Sequence, residues 1–133
     1  MNYLLDTSVL IDLLRIKPGA EKFIDEHIKE AITTSTICEA EVYEGIYREH
    51  PERIAKKKDE FHNLLEKFFA VVAFDPEQAD IAGRIRAELA ARGSLIGDLD
   101  ILIAAAAISQ NATLVTKNPK RFQQIPGLQM ASL

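Results

Sequence analysis

One cysteine, three histidines and no tryptophan occur in the 133 residues of this chain. A lone thiol, Cys38, excludes an internal disulfide and any cysteine-rich zinc centre. His27, His50 and His62 are scattered over polar segments, which argues against a histidine metal cluster and predicts three solvated imidazoles. Proline and glycine are sparse, at five and six copies, and nothing reads as a flexible linker, a low-complexity tract or an internal repeat. No apolar run approaches the ~20 residues that span a bilayer. The start Met1-Asn2-Tyr3-Leu4-Leu5-Asp6 lacks a basic leader and meets a carboxylate too early for a secretory signal. A cytoplasmic protein with no membrane attachment is expected. An excess of positive charge is missing as well: the net charge is −4, which argues against a nonspecific grip on phosphates without deciding whether nucleic acid is a partner.

What is present is an apolar content of 47%, enough for one well-buried domain over residues 1–133 and too little chain for two. The apolar run Tyr3-Leu4-Leu5 stops at Asp6, and Thr7 or Ser8 can cap a helix through Leu14. A second helix near residues 20–29 would bury Phe23, Ile24 and Ile28. Residues 31–35 have the β-branched content of a strand. Thr36-Ile37-Cys38-Glu39 then fits a capping box, opening a helix on which Cys38, Val42 and Ile46 share one face while Glu41 borders the face of Glu44 and Arg48. A helix over 51–69, with a solvated lysine run at 56–58, precedes a strand at 70–74. Asp75, with Pro76 and Gln78, starts a helix that ends at Gly93. Asp98 is the expected cap of a helix whose residues 101–108 are apolar on every side, hence buried. A strand at 113–116 ends in the turn signal Lys117-Asn118-Pro119, and residues 128–133 add an edge strand. Strands alternating with helices predict an α/β fold on a parallel sheet.

Chemistry enters through carboxylates. Asp6 ends the first strand, where open α/β sheets form their ligand crevices. Asp100 lies on the apolar helix, and burying an unpaired carboxylate costs several kcal/mol or forces protonation, so a partner is required, most economically a cation. The glutamates Glu39, Glu41 and Glu44 follow a second strand and Asn118 a fourth. With right-handed crossovers all of these positions lie on one edge of the sheet. Oxygen ligands without histidine or cysteine suit Mg²⁺ or Mn²⁺, and such an ion, by activating water, makes a phosphodiester the natural substrate. Periodicity does not select Glu41 over Glu44.

Four segments in order resemble the motifs of the PIN-domain ribonucleases, especially the VapC-type toxins of prokaryotic toxin–antitoxin systems. LLDTSVLIDLL resembles the opening motif with Asp6, STICEAEVYEG the second with Glu41 followed by Gly45, GSLIGDLDILIAAAA the third with Asp100, and LVTKNPKRF the last with Thr116, Asn118 and Phe122. Where some members carry a fourth acidic residue, this chain has Asn118. The resemblance implies a three-layer PIN-like fold with a five-stranded parallel sheet of order 3-2-1-4-5 flanked by helices. It implies an endoribonuclease whose Mg²⁺ or Mn²⁺ is held by Asp6, Glu41 and Asp100, with Asp98 as an extra carboxylate near the ion. Thr116 and Asn118 would orient the attacking water or a carboxylate, and Ser8 would donate to the metal shell or the substrate. Lys117, Lys120 and Arg121 would touch the RNA backbone. A homodimer and a cognate antitoxin covering the acidic groove are implied too. Two other readings compete. In a receiver-type phosphotransfer domain, Asp75 would accept the phosphoryl group, read by Thr116 and Lys117, although the first strand lacks an adjacent acidic pair. A catalytically silent PIN-like module would bind RNA or protein only.

Overall fold

In the computed structural model, which describes residues 1–68 and 70–133, five short strands hydrogen-bond in the order β3-β2-β1-β4-β5. They are β1 (Asn2–Leu5), β2 (Ala31–Ser35), β3 (Ala70–Val72), β4 (Thr113–Thr116) and β5 (Met130–Ser132). Every pairing is parallel, so each connection must cross back over the sheet, and helices supply the crossovers. Among the described residues these are α1 (Thr7–Leu14), α2 (Pro18–Glu26), α3 (Thr36–Tyr47), α4 (Pro51–Leu65), α5 (Pro76–Ala91) and α6 (Asp98–Ser109), with a 3-10 turn at Pro119–Arg121. The α/β class and the strand order are those expected.

Strand β1 is central, its Leu4 beside Thr33 of β2 and Leu114 of β4. Leu4 and Leu5 are fully buried, as a strand flanked on both sides and covered on both faces requires. In α6 the four alanines from Ala104 to Ala107 are all buried, and their short side chains let the helix lie close against α5 and β4. Among the described residues no helix is long and apolar enough to cross a membrane.

Several local expectations move. Asp6, not Thr7 or Ser8, caps α1, and Ser35, not Thr36, caps α3. In both cases the helix starts directly on the strand's heels. The last residue with an extended backbone is the one whose side chain reaches the orphan amides. Gly97 is the cap residue of α6, so Asp98 sits in the first turn, exposed and 3.5 Å from Arg86. Helix α2 starts at Pro18 and stops at Glu26, leaving Ile28 outside it and 74% exposed instead of inward. The helix expected over 51–69 ends at Leu65, and Phe69 lies outside the described residues; the strand expected over 70–74 ends at Val72. His27 is no solvated imidazole: half-buried, it stacks on Phe23 at 4.1 Å with Tyr3 edge-on. His50 and His62 are exposed as expected. Asp75 does cap α5, accepting from the Gln78 amide at 2.9 Å, and Gly93 ends that helix at φ +70°, a left-handed conformation natural to glycine.

Candidate active site

At the carboxyl ends of β1, β2 and β4 the chain turns out of the sheet, and the acidic residues gather there. Asp6 is 2% exposed. Its amide donates to the Val115 carbonyl at 3.0 Å, which extends the β1–β4 ladder by one residue and fixes the backbone beneath the side chain. Oδ1 accepts from the Val9 amide (3.2 Å) and from Ser8 Oγ (2.5 Å). Ser8 Oγ in turn accepts from the Lys117 amide at 3.2 Å, where the chain leaves β4. One carboxylate oxygen is thus tied down, while Oδ2 makes no hydrogen bond among the described residues.

The structure also separates the glutamates. Glu41 accepts a 2.5 Å hydrogen bond from Thr7 Oγ1 at its Oε1, which brings it to the start of α1 beside Asp6. Glu44 is exposed and pairs with Arg48 at 3.7 Å. Glu39 adds its charge to burial, the larger cause, in raising the Tyr43 hydroxyl above its ordinary pKa, and its carboxylate makes no hydrogen bond or ion pair among the described residues. Glu41 is therefore the glutamate that joins the cluster.

Asp100 is 9% exposed, and its partner is a side chain. Arg121 Nε donates to Oδ2 at 3.2 Å and Nη2 bonds Oδ1, a two-point pair that a planar guanidinium forms well. The cation expected from burial is present as Arg121, which sequence reasoning had assigned to RNA. The 3-10 turn carries it there, anchored by Phe122, which is fully buried. Partial burial works against the Arg121 charge, but the hydrogen bond and charge of Asp100 outweigh it, with Asp6 and Glu41 adding to the upward shift. Three carboxylates from three segments act on one cationic point. As they stand, no three His, Cys, Asp or Glu side chains among the described residues are placed to hold a metal ion.

The remaining expected residues fall into two groups. Ser8 belongs to the cluster through Asp6. Thr116 is fully buried and its Oγ1 accepts from the Asn118 amide at 3.0 Å, so it shapes the turn, while the Asn118 side chain is exposed without a hydrogen bond among the described residues. Neither side chain hydrogen-bonds an acid of the cluster among the described residues. Asp98 is exposed and pairs with Arg86, and it has no bond to Arg121 among the described residues. Lys117 Nζ is bound to Asp12 at 2.9 and 3.1 Å, and Lys120 is exposed. A cavity of about 240 Å³ beside the pair is lined by Leu95, Ile96, Gly97, Lys120 and Gln124 as well as Asp100 and Arg121. A larger one, about 640 Å³, lies between α2 and α4 and shares no residue with the acids.

Sequence reasoning missed Thr7 and Asp12. Asp12 is a largely buried carboxylate on an apolar helix, the signal that marked Asp100. Cys38 lies beneath the cluster. Burial raises its thiol pKa most, the Ser35 hydroxyl, which donates to Sγ at 3.3 Å, opposes this, and Asp6 adds to the rise, so it stays protonated and is a poor ligand. The receiver-type reading fails on topology. Asp75 follows edge strand β3, whereas Thr116 and Lys117 follow β4, three strand spacings away, or roughly 14 Å.

The chain is similar in sequence and fold to known proteins. A model described as PIN domain matches residues 3–128. The chain is 33% identical over 133 residues to ribonuclease VapC2 of Rickettsia felis, covering 96% of this chain and 95% of that protein. It is 33% identical over 138 residues to the tRNA(fMet)-specific endonuclease VapC of Salmonella typhimurium, covering 98% and 96%. Among solved structures, VapBC2 of Rickettsia felis bound to a DNA fragment from its promoter superposes with a TM-score of 0.92 at 28% identity, covering 100% of this chain and 99% of that one.

Proposed function

The chain belongs to the PIN domain family, and from that membership we infer that it is an endoribonuclease, the toxin of a toxin–antitoxin pair, working with a bound Mg²⁺ or Mn²⁺. The observation that carries the reading is that three separate segments bring acids to the carboxyl edge of the sheet: Asp6 at the start of α1, Glu41 held there by Thr7, and Asp100 at the start of α6. Nuclease action accords with the relatives' names; an antitoxin partner accords with similarity to VapBC complexes.

The chemistry of the donors, though not their present spacing, suits a hard divalent ion. The set is all oxygen, with one oxygen each of Asp6 and Glu41 free of hydrogen bonds among the described residues, and Asp100 within the same field. When bound, such an ion supplies an activated water and neutralises charge developing on a phosphodiester. The protein's share is positioning. Ser8 and the Val9 amide hold Asp6 Oδ1, which restricts the carboxylate and leaves Oδ2 for the ion. Thr7 does the same for Glu41. Lys117, locked onto Asp12, fixes the amide that orients Ser8. Lys120 stands at the rim, where it can meet an RNA phosphate.

The test is RNA cleavage, with a total tRNA pool among the substrates, by the purified chain in Mg²⁺ or Mn²⁺, and its loss on chelation and in Asp100→Asn. Cleavage that persists in chelator and in this variant overturns the mechanism. Arrest of growth on expression, relieved by a co-expressed antitoxin, checks the toxin role independently. The implied homodimer is read from light scattering after size exclusion.

A further inference from the structure

The acids of the cluster are not equally available to an ion. Asp6 and Glu41 each hold one oxygen in a hydrogen bond and leave the other without one among the described residues, whereas Asp100 gives both oxygens to Arg121. We propose that Arg121 is a built-in competitor of the divalent cation, and that an ion can use Asp100 only after the guanidinium has left it. The inference rests on the metal-dependent reading above and deepens it.

Two further features support an exchange in place of a fixed pair. The Arg121 side chain is 41% exposed and borders the 240 Å³ cavity with Lys120 and Gln124, so it has somewhere to go. Its turn is pinned by the buried Phe122, so the side chain can swing while the backbone stays. Electrostatics favour one cation at a time. A guanidinium and a divalent ion against the same carboxylate repel each other, whereas either alone relieves the mutual repulsion of Asp6, Glu41 and Asp100. Arg121 thus keeps the acidic cluster neutralised and sets the cation concentration at which the site loads.

Competition for one carboxylate is a negative coupling between the guanidinium and the ion, of a size that commonly changes affinity five- to a hundredfold. Isothermal titration of Mn²⁺ into the full chain is expected to show Arg121→Gln binding roughly tenfold more tightly than wild type. Arg121→Lys, which keeps the charge and loses the two-point fork, should fall between. In wild type, the Arg121 Nε–Hε NMR signal should leave its carboxylate-bonded position as Mg²⁺ is added, a readout that needs neither activity nor a variant. Equal or weaker Mn²⁺ binding by Arg121→Gln, or an Arg121 signal that stays in place while Mg²⁺ binds, overturns the competition. Absence of ion binding by both wild type and Arg121→Gln is a different result, and it removes the metal-dependent reading together with this inference.

Discussion

Thr7 and Glu41 are joined by a 2.5 Å hydrogen bond across 34 positions of sequence, clasping the first turn of α1 to the middle of α3 at the edge where β1 and β2 end. The bond fixes which glutamate enters the acidic cluster and which of its oxygens is left over.

Glu41→Gln is therefore expected to lower RNA cleavage by at least about a hundredfold, since a cation ligand is worth several kcal/mol in the transition state. Glu44→Gln, on the exposed face, should stay within about twofold of wild type, as exposed ion pairs contribute little. Equal losses in the two variants, assayed side by side, would contradict the placement of Glu41.

Thr7→Val keeps the shape of the side chain and removes the donor. Hydrogen bonds to charged groups contribute about 1.5–3 kcal/mol, so cleavage should fall roughly tenfold or more through misplacement of Glu41. A Thr7→Ser variant, which retains the hydroxyl, should recover most of the activity. Failure of serine to rescue would point to packing instead.

Asp6→Asn separates chemistry from folding. Asparagine caps helices as well as aspartate does, and loss of one charge relieves repulsion within the cluster. The melting temperature should be unchanged or higher, while cleavage falls by about a hundredfold or more. A variant that melts much lower would show that the Asp6 charge has a structural task.

Lys117 and Asp12 should behave as a unit. The Asp12 side chain is only 11% exposed and its partner 47%, so Lys117→Met leaves a nearly buried carboxylate uncompensated, at about 1–3 kcal/mol of unfolding free energy. The double variant Asp12→Leu with Lys117→Met should recover much of this, because the uncompensated charge is gone. Urea unfolding of the four proteins in a double-mutant cycle measures the coupling.

The buried Cys38 thiol predicts a pH response. Its folded pKa is raised above 9.0, chiefly by burial, so the folded chain holds a proton that the unfolded chain releases. That contribution to stability is complete well below pH 9, at about pH 8 and under, and is lost as pH rises through the folded value. Between about pH 8 and 10 the wild type should lose more stability than Cys38→Ala. Parallel slopes in urea unfolding across this range would argue against it.

How much of this was legible in the chain differs from residue to residue. Local rules sufficed where cause and effect lie within a turn or two: the helix start at Asp75, the left-handed Gly93, the buried run of α6, and the strand-to-helix turn at Asp6. They erred by one or two residues on the cap of α1 and by one on those of α3 and α6, because several residues in a row had capping chemistry and only the backbone angles decide among them. The strand order rested on the resemblance, since a crossover leaves no mark on local periodicity.

The sequence by itself determined that Asp6 would stand at a strand end and that Asp100, on a helix apolar elsewhere, would need a cation. Both follow from solvation and periodicity over a few residues. Only the tertiary structure decided that this cation is Arg121, 21 positions on, that Glu41 and not Glu44 meets Thr7, and that Lys117 serves Asp12 across 105 positions. The physical reason is the parallel sheet. Its crossovers bring distant segments to one edge, and which side chains meet there depends on register and helix rotation, which no stretch of the chain encodes alone.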